Sequence, residues 1–348
     1  MYLEARRRAA RRSVRFIEDR FTSPQMLATL GVGLVHCAAN LCRTAADPWV
    51  ARRARRLGRH AFEAWRSTNA TDPASSPHAW GEWVRMYVGA SALGIHSPRS
   101  LRYLAMVAAA GGADAPNVYP INKSGVFSNV PEACECGAEN APGTRICRNA
   151  GCRRPLRHMS PFRAWCLTLT DGYCRARLGL DLDGRFARAL AALAMIRPYP
   201  LRDRHCLVDF YDAAYAVSHL VYSLNDFGRF TLRREWLPWE HAFLTGRMGT
   251  AIDLEDVDLV GEFADALRAF HQEGDRPLVR AGFRFLLDTQ HGDGSWAPRS
   301  ADEDYARFHV VWAALDGIRE FRWPKWGVSF PSLLPFLRQS AGLTARRQ

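Results

Sequence analysis

The second half of the chain repeats itself, and this repeat limits the fold more than any other feature. The stretches "HLVYSL" (219–224), "EFADAL" (262–267) and "HVVWAA" (309–314) can be laid on one another, with first residues 43 and 47 positions apart. A step of that size accommodates one helix–turn–helix hairpin, because two helices of ordinary length and two short turns fill it. Helices of an alternate kind, predicted at Pro238–Arg247 and Leu278–Thr289, fall between the three. Such hairpins curling round an axis give an inner ring of helices and an outer ring. The expected fold class is therefore all-α, an α/α-toroid or an arc of helical hairpins.

Helical periodicity also dominates elsewhere, and strand signals are nearly absent outside a cysteine cluster. Further helices are predicted over Pro48–Ser67, Ala79–Leu93, Ser100–Ala110, Pro161–Leu178, Phe186–Met195, Asp209–Asp226, Glu255–Phe270, Asp304–Phe321 and Pro331–Ser340. The expected organisation is a separate helical N-terminal lead (1–70), joined by the polar "STNATDPASSP" to helical hairpins (78–130). A cysteine-rich insertion (131–157) and the repeats (158–348) follow. The longest apolar run, Met26–Leu41, reads as too short and interrupted for a membrane span. Glu4, Glu18 and Asp19 argue against a signal peptide. Nine cysteines, four of them clustered, suit a reducing cytosol better than a disulfide scaffold, so a soluble cytoplasmic protein is expected.

The net charge of +12 is almost all arginine, concentrated in Glu4–Phe16 and Ala51–His60, with lysine only at Lys123 and Lys325. A solvated arginine-decorated helix face is the expected reading rather than a nucleic-acid surface, with acidic lipid or nucleic acid as the alternative partners.

The stretch "RAGFRFLLDTQHGDGSW" resembles the QW motif of terpene cyclases through Arg280, Ala281, Phe285, Leu286, Gln290, Gly294 and Trp296. The following "DYARFHVVWAAL" is similar to the helix that supplies a zinc-binding histidine in protein prenyltransferase β subunits. The resemblance implies a toroid in which the glutamine amide caps the next helix and the tryptophan packs beside it. It also makes a terpenoid or prenyl-processing enzyme one expectation. The departures are specific: no Asp-x-Asp-Asp proton donor and no DDxxD magnesium motif occur. "DLED" (Asp253–Asp256) reads as an acidic helix cap and "DLDG" (Asp181–Gly184) as a turn.

Cys134, Cys136, Cys147 and Cys152 form two close pairs joined by ten residues, similar to a zinc ribbon. Four thiolates complete a tetrahedral shell, so the expectation is a structural Zn2+ that folds an insertion or docks a protein partner. Paired disulfides and free thiols are the alternatives.

His219, Glu262 and His309 occupy equivalent places in the three repeats, so their side chains should meet at one height of an inner wall. Two imidazoles and one carboxylate form a facial ligand set with open positions, suited to Fe2+ and oxidative chemistry, or to Zn2+. The alternative is a hydrogen-bonded polar cluster without metal. Asp212, Tyr215 and Tyr305 are the supporting catalytic candidates, and Tyr222 and Trp312 candidate cavity walls; His241 and His291 receive no role. The function expected is a metal-dependent enzyme, of non-haem iron hydroxylase type, acting on a small-molecule or peptidyl substrate. The alternatives are the prenyl enzyme and a non-catalytic helical scaffold.

Overall fold

The computed structural model describes residues 2–68, 71–112, 134, 136, 138, 140, 144–156, 159–200, 207–271, 275–296, 304–322 and 325–338. Among them the protein is helical without a β-strand; extended pairing is limited to isolated bridges such as Ile146 with Pro155. The helices are α1 (Tyr2–Phe21), α2 (Pro24–Thr44), α3 (Pro48–Thr68), α4 (Pro77–Ala92), α5 (Pro98–Val107) and α6 (Pro161–Arg177). They continue with the short α7 (Arg185–Ala191) and α8 (Leu193–Ile196), then α9 (Leu207–Asn225), α10 (Pro238–Asp253), α11 (Val257–Ala269), α12 (Arg276–Thr289) and α13 (Asp304–Ile318).

Four of these helices start with the same dipeptide. Ser23, Ser76, Ser97 and Ser160 each precede a proline, and each hydroxyl accepts the N–H three residues on, from Met26, Ala79, Ser100 and Arg163. The serine satisfies one orphan donor, and proline sits where its missing N–H costs nothing. Asp256 caps α11 in the same way, accepting from the Leu259 N–H at 3.0 Å, so "DLED" is a helix cap as expected. Asp181 likewise accepts from the N–H groups of Arg185 and Phe186 at the start of α7.

Helix packing follows a regular succession: α2 lies on α4, α4 on α6, α6 on α9, α9 on α11, α11 on α13, and α13 again on α2. Other helices flank these pairs, with α3 against α2 and α4, α10 against α9 and α11, and α12 against α11 and α13. Large aromatic side chains, among them Trp80, Trp165, Phe263 and Phe308, fill the interior between the helices.

The first 70 residues are not the separate lead expected from the sequence, because α1 packs on α12 and α13 as well as on α2 and α3. The physical reason is at the end of α13, whose last carbonyls lack helical partners. Arg6 supplies them, donating from Nε to the Ile318 carbonyl at 2.8 Å and from Nη2 to the Arg319 carbonyl at 2.9 Å. Backbone bonds from Ala46 to Glu320 and from Arg322 to Thr44 join the same two regions. By length and composition α2 is also apolar enough to cross a membrane, with mean hydropathy 1.3, against the expectation drawn from the shorter run Met26–Leu41. In this fold 61% of that window is buried.

The approach of α11 to α13 is set by glycine. A Cβ on Gly261 would stand 2.5 Å from the Ala313 carbonyl oxygen, and one on Gly317 would stand 2.9 Å from the Gly261 Cα. Backbone therefore meets backbone here, and this brings the acidic face of α11 up to His309.

Candidate functional site

A cavity of about 50 Å³ lies between α2, α9, α11 and α13. His219, Glu262 and His309 all line it, together with Asn40, Asp265 and Asp316 and the aromatic walls Tyr222, Phe227 and Trp312. The repeat alignment thus places its three polar residues on one cavity.

The two histidines differ in charge. Nδ1 of His219 lies 2.8 Å from the Tyr215 carbonyl, which can only accept, so Nδ1 carries the proton and Nε2 keeps its lone pair. Burial lowers the His219 pKa to about 4, against the weaker opposing effect of that hydrogen bond, and the ring is neutral. Nδ1 of His309 lies 3.0 Å from Oδ1 of Asp258 and 3.2 Å from Oδ2, with the better-aligned bond to Oδ2. Burial opposes the charged form of His309, but the Asp258 charge and hydrogen bond outweigh it and raise the ring to about 9. Asp258 also accepts from the Tyr215 hydroxyl at 2.7 Å. Burial would push this carboxyl up; the His309 charge and these donors hold it below its usual value instead.

Glu262 is a buried carboxyl of a different kind. The Ser218 hydroxyl donates to its Oε2, and the Tyr222 hydroxyl donates to its backbone carbonyl at 3.1 Å. Burial, reinforced by the neighbouring Asp258 charge, raises it to about 8.

One ligand atom each from Asp258, Glu262 and His309 lies within 4.8 Å of the other two, close enough to share a metal ion. His219 lines the same cavity outside this group, with its Nδ1 bonded to the Tyr215 carbonyl of its own helix. Asp258 stands in its place, a residue the repeat alignment passed over. Its signal was nonetheless in the sequence: an acidic side chain four residues before Glu262 shares its face of the helix.

Of the supporting candidates, Tyr215 reaches the site through Asp258. Tyr305 is half exposed, with its ring 5.6 Å from that of His309. Asp212 instead accepts from the Ser160 hydroxyl at 2.6 Å and is tied to the start of α6. Trp312 walls the cavity and donates from Nε1 to Asp316 at 2.8 Å. At that end Asp265 and Asp316 meet the buried guanidinium groups of Arg268 and Arg319, an ionic cluster the sequence reading did not find. His241 pairs with Asp275 at 2.7 Å and His291 with Ser295 at 3.1 Å, both outside the cavity lining.

The four clustered cysteines come together as free thiols. Cys134 Sγ lies 3.5 Å from Cys136 and 3.6 Å from Cys152, and Cys136 lies 3.6 Å from Cys147. A bonded pair would sit at about 2.05 Å. The edge of a tetrahedron with metal–sulfur bonds of about 2.3 Å is ~3.8 Å, so the separations fit a shared metal ion rather than disulfides. A small loop holds the second pair in place, with backbone bonds from Cys147 to Arg154 and from Leu156 to Arg145. Amide N–H groups of Asn140 and Asn149 point at Cys147 and Cys136 sulfur at 3.8 and 3.7 Å. The Ala138 N–H, with the neighbouring thiols, lowers Cys136 to about 6.

The glutamine of the QW-like stretch works differently from what the resemblance implies. Gln290 Nε2 donates to the Ala9 carbonyl at 3.1 Å and to the Ser13 hydroxyl at 2.9 Å, so it joins the α12 end to α1 rather than capping α13. Trp296 Nε1 donates at 2.6 Å to the Leu286 carbonyl of α12.

No protein family, curated protein or solved structure matches the chain.

Proposed function

We propose that the protein is an α/α-toroid whose cavity holds a divalent metal ion, and that it is a metal-dependent enzyme. The succession of contacts that leaves α2 and returns to it supports the toroid. The observation that carries the enzyme reading is the convergence of Asp258, Glu262 and His309 beside an aromatic-walled cavity. His219 bonds through Nδ1 to a backbone carbonyl, which is how metal-binding histidines are held with Nε2 free. His309, whose Nδ1 faces Asp258, would share an ion with that carboxylate only on losing the Nδ1 proton.

Asp258 and Glu262 with His309 give an oxygen-rich set. If His219 joins through Nε2, the set has two imidazoles, which suits Fe2+ and an oxidative reaction such as hydroxylation; Zn2+ accepts the same donors. The metal would supply Lewis-acid or redox chemistry. The chain's own part is to fix Asp258 through the Tyr215 hydroxyl, to keep His219 neutral, and to exclude water with Tyr222, Phe227 and Trp312. A cavity of this size admits the reacting end of a small molecule or of one peptide side chain. For the cysteine cluster we propose structural Zn2+, since four sulfurs leave no open position.

A metal-free reading is favoured by one observation: Glu262, raised to about 8, is a neutral acid beside aromatic walls. Such a group could act as a general acid that hands its proton to the departing oxygen of a prenyl substrate, the prenyl alternative.

Element-resolved metal analysis separates these readings. The expected result is two metals per chain, with Glu262→Ala losing one and keeping the cysteine-bound zinc. Zinc alone in the unaltered protein, or two metals unchanged in Glu262→Ala, would overturn the proposal.

A further inference from the structure

The fold sorts the arginines into two groups. On α1, Arg7, Arg11 and Arg6 are consumed by Glu320, Asp47 and the end of α13, and on α3 Arg53 is consumed by Glu18. These bonds tie helices together. Arg52, Arg56, Arg59 and Arg66 on α3, by contrast, are exposed and have no acidic partner among the described residues. Their spacing of three, four or seven residues puts them on one outward stripe, interrupted by a single acid, Glu63.

We propose that this stripe is a docking surface for the phosphodiester backbone of a nucleic acid, bound without regard to sequence. Three observations carry the choice of partner. The stripe runs ~21 Å along the helix axis, a length that spans about six phosphates of one strand. Its residues are arginine throughout, whose planar fork matches phosphate oxygens in pairs. The apolar face of α3 (Val50, Ala54, Leu57, Ala61, Trp65) is already buried in the fold, so no apolar face remains to insert between lipids. On α1, Arg15 extends the basic surface sideways. The pairs Arg11–Asp47 and Glu18–Arg53 show that α1 and α3 run side by side in one direction, and Arg15 projects over Trp49 between them.

The test is fluorescence anisotropy of the full chain with a short mixed-sequence DNA duplex and its RNA counterpart, from about 50 to about 200 mM salt. Four phosphate contacts predict that log affinity falls with log salt at a slope of about −3 to −4. Arg52→Gln, Arg56→Gln and Arg59→Gln together should weaken binding at low salt at least tenfold and flatten the slope by about 2 to 3, with an unchanged helical circular dichroism spectrum. Gln at all three exposed sites leaves the buried face intact. As a control for variants that fail to fold, Arg66→Gln alone should flatten the slope by about 1. Failure to bind either duplex at low salt, or equal binding by a folded triple variant, would overturn the proposal. So would binding only to vesicles of phosphatidylcholine and phosphatidylserine, which would make the stripe a lipid surface.

Discussion

Alanine at Gly261 should destabilise the protein, whereas the same substitution at Gly246 should stabilise it, although both glycines lie inside helices. The new Cβ at position 261 would stand 2.5 Å from the Ala313 oxygen, 2.6 Å from its carbonyl carbon and 2.7 Å from the Ala314 nitrogen. All three are backbone atoms, so no side-chain rotation relieves the overlap. Reaching ordinary contact at 3.4 Å means that α11 and α13 must part by about 1 Å at this crossing. Overpacking of this kind costs about 1 to 3 kcal/mol. Because three backbone atoms must yield, the upper end of that range applies, and alanine's better helix propensity returns up to about 1 kcal/mol, leaving a net loss of about 2 kcal/mol. At Gly246 a Cβ would meet nothing within 4 Å, so only the propensity gain remains, about 1 kcal/mol of stabilisation. Urea denaturation of the two variants and the parent, followed by circular dichroism, reads both signs from the shift in midpoint. A midpoint for Gly261→Ala at or above the parent's would refute the close α11–α13 approach, and with it the geometry that sets Glu262 against His309.

Three further outcomes follow from the structure. Cys136→Ser should release the cysteine-bound metal, seen by native mass spectrometry as loss of one zinc per chain, while the fold outside 134–156 keeps its helicity; full retention of zinc would refute the four-sulfur site. Gln290→Ala strips Ala9 and Ser13 of an amide donor and should lower stability by about 1 to 3 kcal/mol; an unchanged thermal midpoint would show that this link between α12 and α1 is idle. Burial lowers His36 to about 4. Its folded pKa therefore lies below the unfolded value, and its stabilisation is complete above pH 6.5 and is lost as pH falls towards 4. The loss is at most about 3 kcal/mol, and His36→Gln, which can still donate to the Arg85 carbonyl, should flatten the stability curve in that window.

Helix content and most helix positions were legible because they depend on neighbours in the sequence. The 3.6-residue apolar period and the Pro, Gly and Asp punctuation set the predicted α6, α9 and α12 close to their observed bounds. The repeat spacing carried further, since hairpins that stack place equivalent residues at one height; His219, Glu262 and His309 do line one cavity. The cysteine cluster was equally legible, its spacing being a local property of a short loop.

What the sequence did not determine belongs to the crossing of helices. Whether a histidine ring faces a carboxylate or its own backbone depends on the distance between α11 and α13. Two glycines, Gly261 and Gly317, set that distance, and in the sequence they read only as weak helix residues. Asp258 entered the site in this way; His219, on α9, bonds instead to the Tyr215 carbonyl of its own helix. The place of the first helix was also decided elsewhere, by unpaired carbonyls at the end of α13, some 300 residues along the chain from Arg6, that needed donors. Which arginines are consumed inside the fold and which remain free on α3 was likewise a tertiary matter. Composition fixes the charge of a chain, and only packing decides which charges are left to face a partner.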